Sequence, residues 1–197
     1  VMPRNVRILN EMTTFELVTK EGLSFGTYKM QLYGKHNVMN AMAAIITCLQ
    51  LGLGLQQIKD ALAAFQGVQR RFDIRYRDEK VCYIDDYAHH PEEIKATLKA
   101  VRKIYPDRKM TLVFQPHLFT RTRDFIDEFA ESLSLADSLL LMEIYPAREK
   151  PIPGITSSEL LKKISCHEKQ ICQKEDLIAT IKNLKPELII TMGAGDI

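Results

Sequence analysis

From about residue 67 onward the chain alternates short apolar runs with segments of helical period, and that alternation narrows its fold more than any other feature. Strands are expected near 72–77, 81–84, 110–114, 138–142, 169–172 and 187–191, with helices near 91–104, 122–134, 157–165 and 175–184. Val81-Cys82-Tyr83-Ile84 has the continuous apolar character of a strand buried in a parallel sheet. The segment after it opens with Pro91, Glu92 and Glu93, a helix start signal, and places Ile94, Leu98, Val101 and Ile104 on one stripe. Strand–helix repetition predicts an α/β fold, a mainly parallel sheet flanked by helices and joined by right-handed crossovers.

The first third has another texture. From Val6 to about Tyr33 the pattern is short, β-rich and interrupted, with Phe15-Glu16-Leu17-Val18-Thr19, a turn at Gly22, and Thr27-Tyr28-Lys29-Met30-Gln31-Leu32. A helix is expected over 38–51, with Val38, Ala41, Met42, Ile45, Ile46 and Leu49 on one face and Asn37 as its cap; a second is expected over 56–65. The change of pattern predicts a domain boundary near 67–70.

Polar clusters follow several of the strands. Asp85-Asp86-Tyr87-Ala88-His89-His90-Pro91 follows the run at 81–84. Gln115-Pro116-His117-Leu118-Phe119-Thr120-Arg121-Thr122-Arg123-Asp124 follows 110–114, Glu143-Ile144-Tyr145-Pro146-Ala147-Arg148-Glu149 follows 138–142, and Gly193-Ala194-Gly195-Asp196 follows 187–191. In a parallel sheet these segments share the carboxyl rim, where open α/β sheets bind ligands. Arg121 and Arg123 suit a carboxylate or phosphate, because guanidinium pairs bidentately with either. Cations at the start of a helix over 122–134 would oppose its dipole, which also favours a bound anion there.

Plainer readings stand beside these. His90, just before Pro91, is expected to be a helix cap. Asn37 and Asn40 can serve helix 38–51, or with His36 read a base edge through amide donors and acceptors. Asp85, Asp86, His89, His90 and His117 lack the compact spacing of a metal motif, so no metal site is assigned. Gly193-x-Gly195 falls short of a phosphate-binding fingerprint. A net charge of +2 gives no electrostatic case for nucleic acid or a membrane surface as partner. The four cysteines are dispersed in apolar surroundings, which reads as buried thiols in a reducing, cytoplasmic setting. Val1 at the start and a glycine turn at the end read as parts of a longer protein.

Taken in order, Gly34-Lys35-His36-Asn37-Val38-Met39-Asn40-Ala41, Gln69-Arg70-Arg71-Phe72 and Asp85-Asp86-Tyr87-Ala88-His89-His90-Pro91 resemble the Mur ligases, ATP-dependent amide-bond enzymes of bacterial cell-wall synthesis. The segments 115–124 and 145–149 narrow the resemblance to the branch that joins L-alanine to UDP-N-acetylmuramate. Enzymes that recycle murein tripeptide share the His-His-Pro element and differ at 115–124.

The resemblance covers essentially the whole chain. It implies that 1–68 is the C-terminal part of a central ATP-binding domain and that 69–197 is a C-terminal Rossmann-like ligase domain, truncated at its end. It implies ATP and Mg2+ as cofactors, with the phosphate-binding loop and the main magnesium ligands in a missing portion of the same polypeptide, so that this chain alone is inactive. By the same resemblance, His36, Asn37 and Asn40 contact adenine, and Arg71 and Asp86 lie near the nucleotide. Tyr87, His89, His117 and Arg121 face muramate and alanine, Arg121 holding the amino-acid carboxylate. Arg71, His89 and Arg121 are the catalytic candidates, and domain closure brings the two groups together. Leu118 stands where other members carry arginine, which implies one carboxylate contact fewer. A non-catalytic nucleotide-binding module and a metal-dependent hydrolase are the alternatives from other classes.

Overall fold

The structure is a computed structural model that describes residues 1–9, 12–195 and 197. Asp196, in the glycine-rich turn noted above, lies outside the described residues. The chain forms two compact units, Val1–Val68 and Gln69–Ile197.

In the first unit β1 (Met2–Leu9), β2 (Met12–Val18) and β3 (Ser24–Met30) form an antiparallel sheet in chain order. The inward side chains Phe15 and Leu17 of β2 meet Tyr28 and Met30 of β3. Together they pack against Val38, Ala41 and Ile45 of α1 (Lys35–Gln50) and Ile58 of α2 (Leu55–Ala64). β1 carries no sequence signature, because almost all of its side chains are exposed and no alternation marks it.

The start of α1 corrects the capping expectation. The helix begins at Lys35, three residues early, after Gly34 at φ 92°, a left-handed conformation that glycine adopts without strain. Asn37 therefore sits inside the first turn and caps nothing; its buried amide donates to the Tyr33 carbonyl at 2.7 Å.

The second unit holds β4 (Asp73–Arg77), β5 (Cys82–Asp86), β6 (Met110–Phe114), β7 (Ser138–Leu141), β8 (Glu168–Ile171) and β9 (Leu188–Met192). The sheet order is β4-β5-β9-β6-β7-β8, parallel throughout except for the antiparallel edge pair β4–β5. The α/β architecture with a mainly parallel sheet is thus as expected from the alternation. Helices α3 (Pro91–Ile104), α4 (Phe119–Asp124), α5 (Ile126–Leu133), α6 (Ser157–Lys163) and α7 (Leu177–Leu184) connect the strands.

Alternation along β6 shows both faces covered. Phe114 meets Phe129 of α5, with ring centroids 5.7 Å apart, while Val113 packs in a cluster with Leu177 and Ile181 of α7. Cys82, Cys166 and Cys172 are buried, Cys48 is half-buried, and all four are free thiols.

The helix expected over 122–134 is instead two, broken at Phe125 (φ −125°, ψ 27°). The Phe125 ring lies 4.7 Å from that of His90, a tertiary contact that helical periodicity does not report. The last strand, β9, returns to the middle of the sheet. Its insertion sets β5, β9 and β6 side by side, so 86–91, 193–195 and 115–121 leave the sheet at the same edge.

Candidate active site

The rim is built on a kinked entry segment. Arg70 and Phe72 both have left-handed φ, 57° and 51°, and the bend between them sends successive arginines opposite ways. Arg70 turns inward: its Nη1 and Nη2 donate to the carbonyls of Gly195 and Gly193 at 2.8 and 2.7 Å, and its Nε lies 3.3 Å from Asp85. Asp85 also accepts from Thr191 Oγ1 at 2.7 Å. Arg71 turns outward, with its side chain 51% exposed and a loose 3.7 Å approach to Glu93. Both guanidiniums lie 5.4 Å from the Tyr87 ring centroid.

Asp86 stabilises this kink from within. It is 4% exposed; Oδ2 accepts from Phe72 N at 2.8 Å and Oδ1 from Ala88 N at 2.7 Å. Its carboxylate is committed to the main chain on either side of the rim. The glycine turn has a packing reason too: a β-carbon at Gly193 would lie 2.9 Å from the Gln115 carbonyl, and one at Gly195 would collide with Gln115 Oε1.

His90 occupies the N-cap of α3, as expected, and the Glu93 carboxylate accepts from the amides of His89 and His90 at 3.1 and 3.2 Å. Burial pushes the Glu93 carboxyl up, but those two bonds and the nearby His89 and Arg71 charges outweigh it and hold it below its ordinary value. His89 Nδ1 lies 2.9 Å from the Tyr87 carbonyl. A carbonyl only accepts, so Nδ1 carries the proton there, and in the neutral ring Nε2 is left with a free lone pair. Aromatic rings continue along the rim: Tyr87 to His89 at 5.0 Å, His89 to His117 at 6.3 Å, and His117 stacked on Tyr145 at 5.5 Å.

His117 and Arg121 sit on a strained turn. Leu118 has φ 75° and ψ 134°, a conformation costing a non-glycine residue about 1–3 kcal/mol. Three buried polar atoms of this segment have no partner among the described residues: Gln115 Oε1, His117 Nδ1 and Arg121 Nη1. Buried polar groups are normally paired, so such a group marks where a ligand would complete the set. Burial first, then the positive charge of Arg121 and the neighbouring His89 ring, push the His117 ring below its ordinary value of 6.5, with Glu149 opposing. His117 is accordingly neutral at pH 7.

Because this pKa is depressed by folding, its stabilising contribution is present above 6.5 and is lost as pH falls through the folded value. An NMR titration should find the His117 midpoint below 6.5, and Arg121→Ala should move it upward. An unchanged midpoint in that variant would remove Arg121 as a cause.

Arg123 does not join the site. It is exposed and paired with Asp124 at 2.7 Å. The dipole argument for 121 and 123 also falls, because the helix starts at Phe119 and ends at Asp124, placing both arginines in its last turn, where the dipole favours cations. Tyr87, His89, His117 and Arg121 do gather on one rim, with Arg71 on its entry segment and Asp86, at the end of β5, bonded to that segment. His36, Asn37 and Asn40 belong to the first unit, at the start of α1: His36 half-buried, Asn37 buried and Asn40 exposed. Asn37 and Asn40 line an apolar groove of about 490 Å³ together with Leu32, Ala41, Cys48 and Phe65. Sequence reasoning missed Arg70, Gln115 and Glu149. The resemblance picks out Arg71 alone, and the backbone kink shows the physical difference between it and the inward-turned Arg70.

Residues 70–195 match the family model described as Mur ligase, glutamate ligase domain, and the chain belongs to the Mur ligase family. Within it, the UDP-N-acetylmuramate–L-alanine ligase of Cytophaga hutchinsonii is 48% identical over 98% of this chain and 41% of its own. That of Flavobacterium johnsoniae is 50% identical over 98% of this chain and 43% of its own. Among solved structures, the UDP-N-acetylmuramate–alanine ligase of Thermotoga maritima is similar with TM-score 0.77 and 29% identity, over 94% of this chain and 40% of that one. A murein peptide ligase from Psychrobacter arcticus gives 0.63 and 25%, over 98% of this chain and 41% of that one. The chain thus spans about two fifths of the length of these relatives. Among the described residues, no helix is long and apolar enough to cross a membrane.

Proposed function

We propose that this chain is part of an ATP-dependent ligase that joins L-alanine to the lactyl carboxylate of UDP-N-acetylmuramate during peptidoglycan precursor synthesis in the cytoplasm. The observation that carries the reading is Arg121, whose buried Nη1 lacks a partner beside the neutral His117. A guanidinium held in this way suits a small carboxylate such as that of an amino acid. The likeness to alanine ligases in sequence, and the higher TM-score to one than to a murein peptide ligase, favour alanine as acceptor.

The nucleotide supplies the phosphoryl group that turns the lactyl carboxylate into an acyl phosphate. The chain's own residues position and stabilise. Arg121 orients the acceptor by its carboxylate. His89, with its proton on Nδ1 and the Nε2 lone pair free, takes the proton released as the amine attacks the acyl carbon, and inorganic phosphate leaves as the acyl–oxygen bond breaks and the amide forms. Tyr87 and His117 form the wall between these groups, and Arg71, half-exposed and only loosely paired, offsets charge on the transferring phosphoryl group. Asp86 acts here by holding the main chain next to Arg71.

The exposed Asn40 amide and the apolar groove beside it fit an adenine ring, which His36, Asn37 and Asn40 would hold. Mg2+ finds no such fit: among the described residues no group of three or more histidines, cysteines or acids is arranged to hold a metal ion, and no step is routed through the ion. The sequence contains no Gly-x-x-x-x-Gly-Lys-Ser/Thr, so the isolated chain should show no turnover.

ADP release by the complete ligase, given UDP-N-acetylmuramate, ATP and magnesium, should depend on added L-alanine. Turnover with murein tripeptide alone would move the chain to the recycling branch. A folded, complete protein that turns over with no amino acceptor would refute the ligase reading.

A further inference from the structure

We propose that Glu149 is a positioning residue that sets the affinity for the acceptor amino acid by holding the turn that carries His117 and Arg121. The inference rests on the reading of Arg121 as the carboxylate anchor. Both oxygens of Glu149 accept from Thr120: Oε2 accepts from Thr120 N at 2.9 Å, and Oε1 accepts a short bond from Thr120 Oγ1. Thr120 directly precedes Arg121. Two turns from different strand ends are thereby tied together, one after β6 and one after β7.

The tie is part of a small extension of the sheet. Tyr145 N donates to the Pro116 carbonyl at 2.8 Å, Leu118 N donates to the Tyr145 carbonyl at 2.9 Å, and His117 stacks on Tyr145. Thr122 closes the other side, its N and Oγ1 donating to the Leu118 carbonyl at 3.1 and 2.8 Å. Leu118 adopts its left-handed backbone inside this lattice, with Ala147 at φ 49° in the facing turn. A strained conformation persists only when its surroundings over-determine it. Glu149 is the only described carboxylate bonded to the 117–121 turn in this lattice. The bonds that Thr120 donates, side chain first, hold its carboxyl below the ordinary glutamate range, so it stays ionised at working pH.

An ordinary helix cap would affect stability alone. A positioning residue should separate the substrates, because misplacing a binding group by about 1 Å can cost on the order of 100-fold. The test is steady-state kinetics in the complete ligase with Glu149→Ala, Glu149→Gln and Thr120→Val, each with a thermal melt. Glu149→Ala should raise the acceptor KM by about 10- to 100-fold while the ATP KM stays within about twofold. Glu149→Gln should restore most of the affinity, since its amide oxygen accepts from Thr120 N and its NH2 donates to Thr120 Oγ1.

If Glu149→Ala fails to fold, Thr120→Val, which removes one of the two bonds, should still raise the acceptor KM several-fold. Three results would overturn the proposal: an unchanged acceptor KM in a folded variant, an equal rise in all KM values, or a glutamine variant as impaired as alanine. If the wild-type ligase prefers an acceptor other than alanine, only the alanine assignment falls, and the same series is read with that acceptor. A wild type that uses no carboxylate-bearing acceptor overturns both readings.

Discussion

Replacing Arg121 with alanine should raise the L-alanine concentration for half-maximal turnover by roughly 30- to several thousand-fold, while the ATP requirement barely moves. The magnitude is that of truncating one partner of a buried, hydrogen-bonded charge pair, about 2–5 kcal/mol, at about 1.4 kcal/mol per tenfold. The substrate-free protein should not be destabilised, because Arg121 Nη1 has no partner to lose. Relieving a buried unpaired donor can even raise the melting temperature. Arg121→Lys keeps the charge without the planar fork, and should fall between wild type and alanine. Steady-state kinetics with each substrate varied, alongside a melt, decide the matter. Equal losses for alanine and ATP, or a lower melting temperature with no change in the alanine KM, would make Arg121 structural.

Whether a feature was legible depended on what kind of interaction specified it. Strands β5, β6, β7 and β9 and helix α3 were readable because burial writes itself into local composition, and α3 adds Pro91, two acids and an apolar stripe. The exposed β1 has no buried face and left no alternation to find. Helix α1 began early because the turn at Gly34, rather than the Asn37 amide, starts it.

At the rim, residue types were informative and roles were not. Tyr87, His89, His117 and Arg121 stand out in the sequence as polar groups after strands. Resemblance singled out Arg71, but the physical reason it faces outward while Arg70 turns in is the pair of left-handed residues around it, which no side-chain pattern encodes. Arg123 looked equivalent to Arg121 until the helix boundary moved by three residues and Asp124 claimed it. Glu149 closes the polar segment 143–149, yet its partner Thr120 is 29 residues away in sequence.

Asp86→Ala should destabilise the Gln69–Ile197 unit by about 2–6 kcal/mol, since it leaves the buried amides of Phe72 and Ala88 without this acceptor at roughly 1–3 kcal/mol each. At roughly 4 °C per kcal/mol for a unit of this size, this lowers the melting temperature by on the order of 10–20 °C. Asparagine keeps one accepting oxygen and turns an NH2 toward the other amide, so Asp86→Asn should lose about half as much. Catalysis should suffer through geometry. The Phe72 amide bond pins one side of the kink that throws Arg71 outward, so freeing it lowers kcat in whatever fraction of protein remains folded.

A nucleotide-contacting Asp86 would behave differently: ATP affinity would fall while the melt stayed at the wild-type temperature. Its 4% exposure and the two short amide bonds, at 2.8 and 2.7 Å, favour the first outcome, because a carboxylate committed to the main chain would have to give up those bonds to reach a ligand. A melting curve for Asp86→Ala beside an ATP titration of the same variant therefore separates a residue that holds the site from one that touches the substrate.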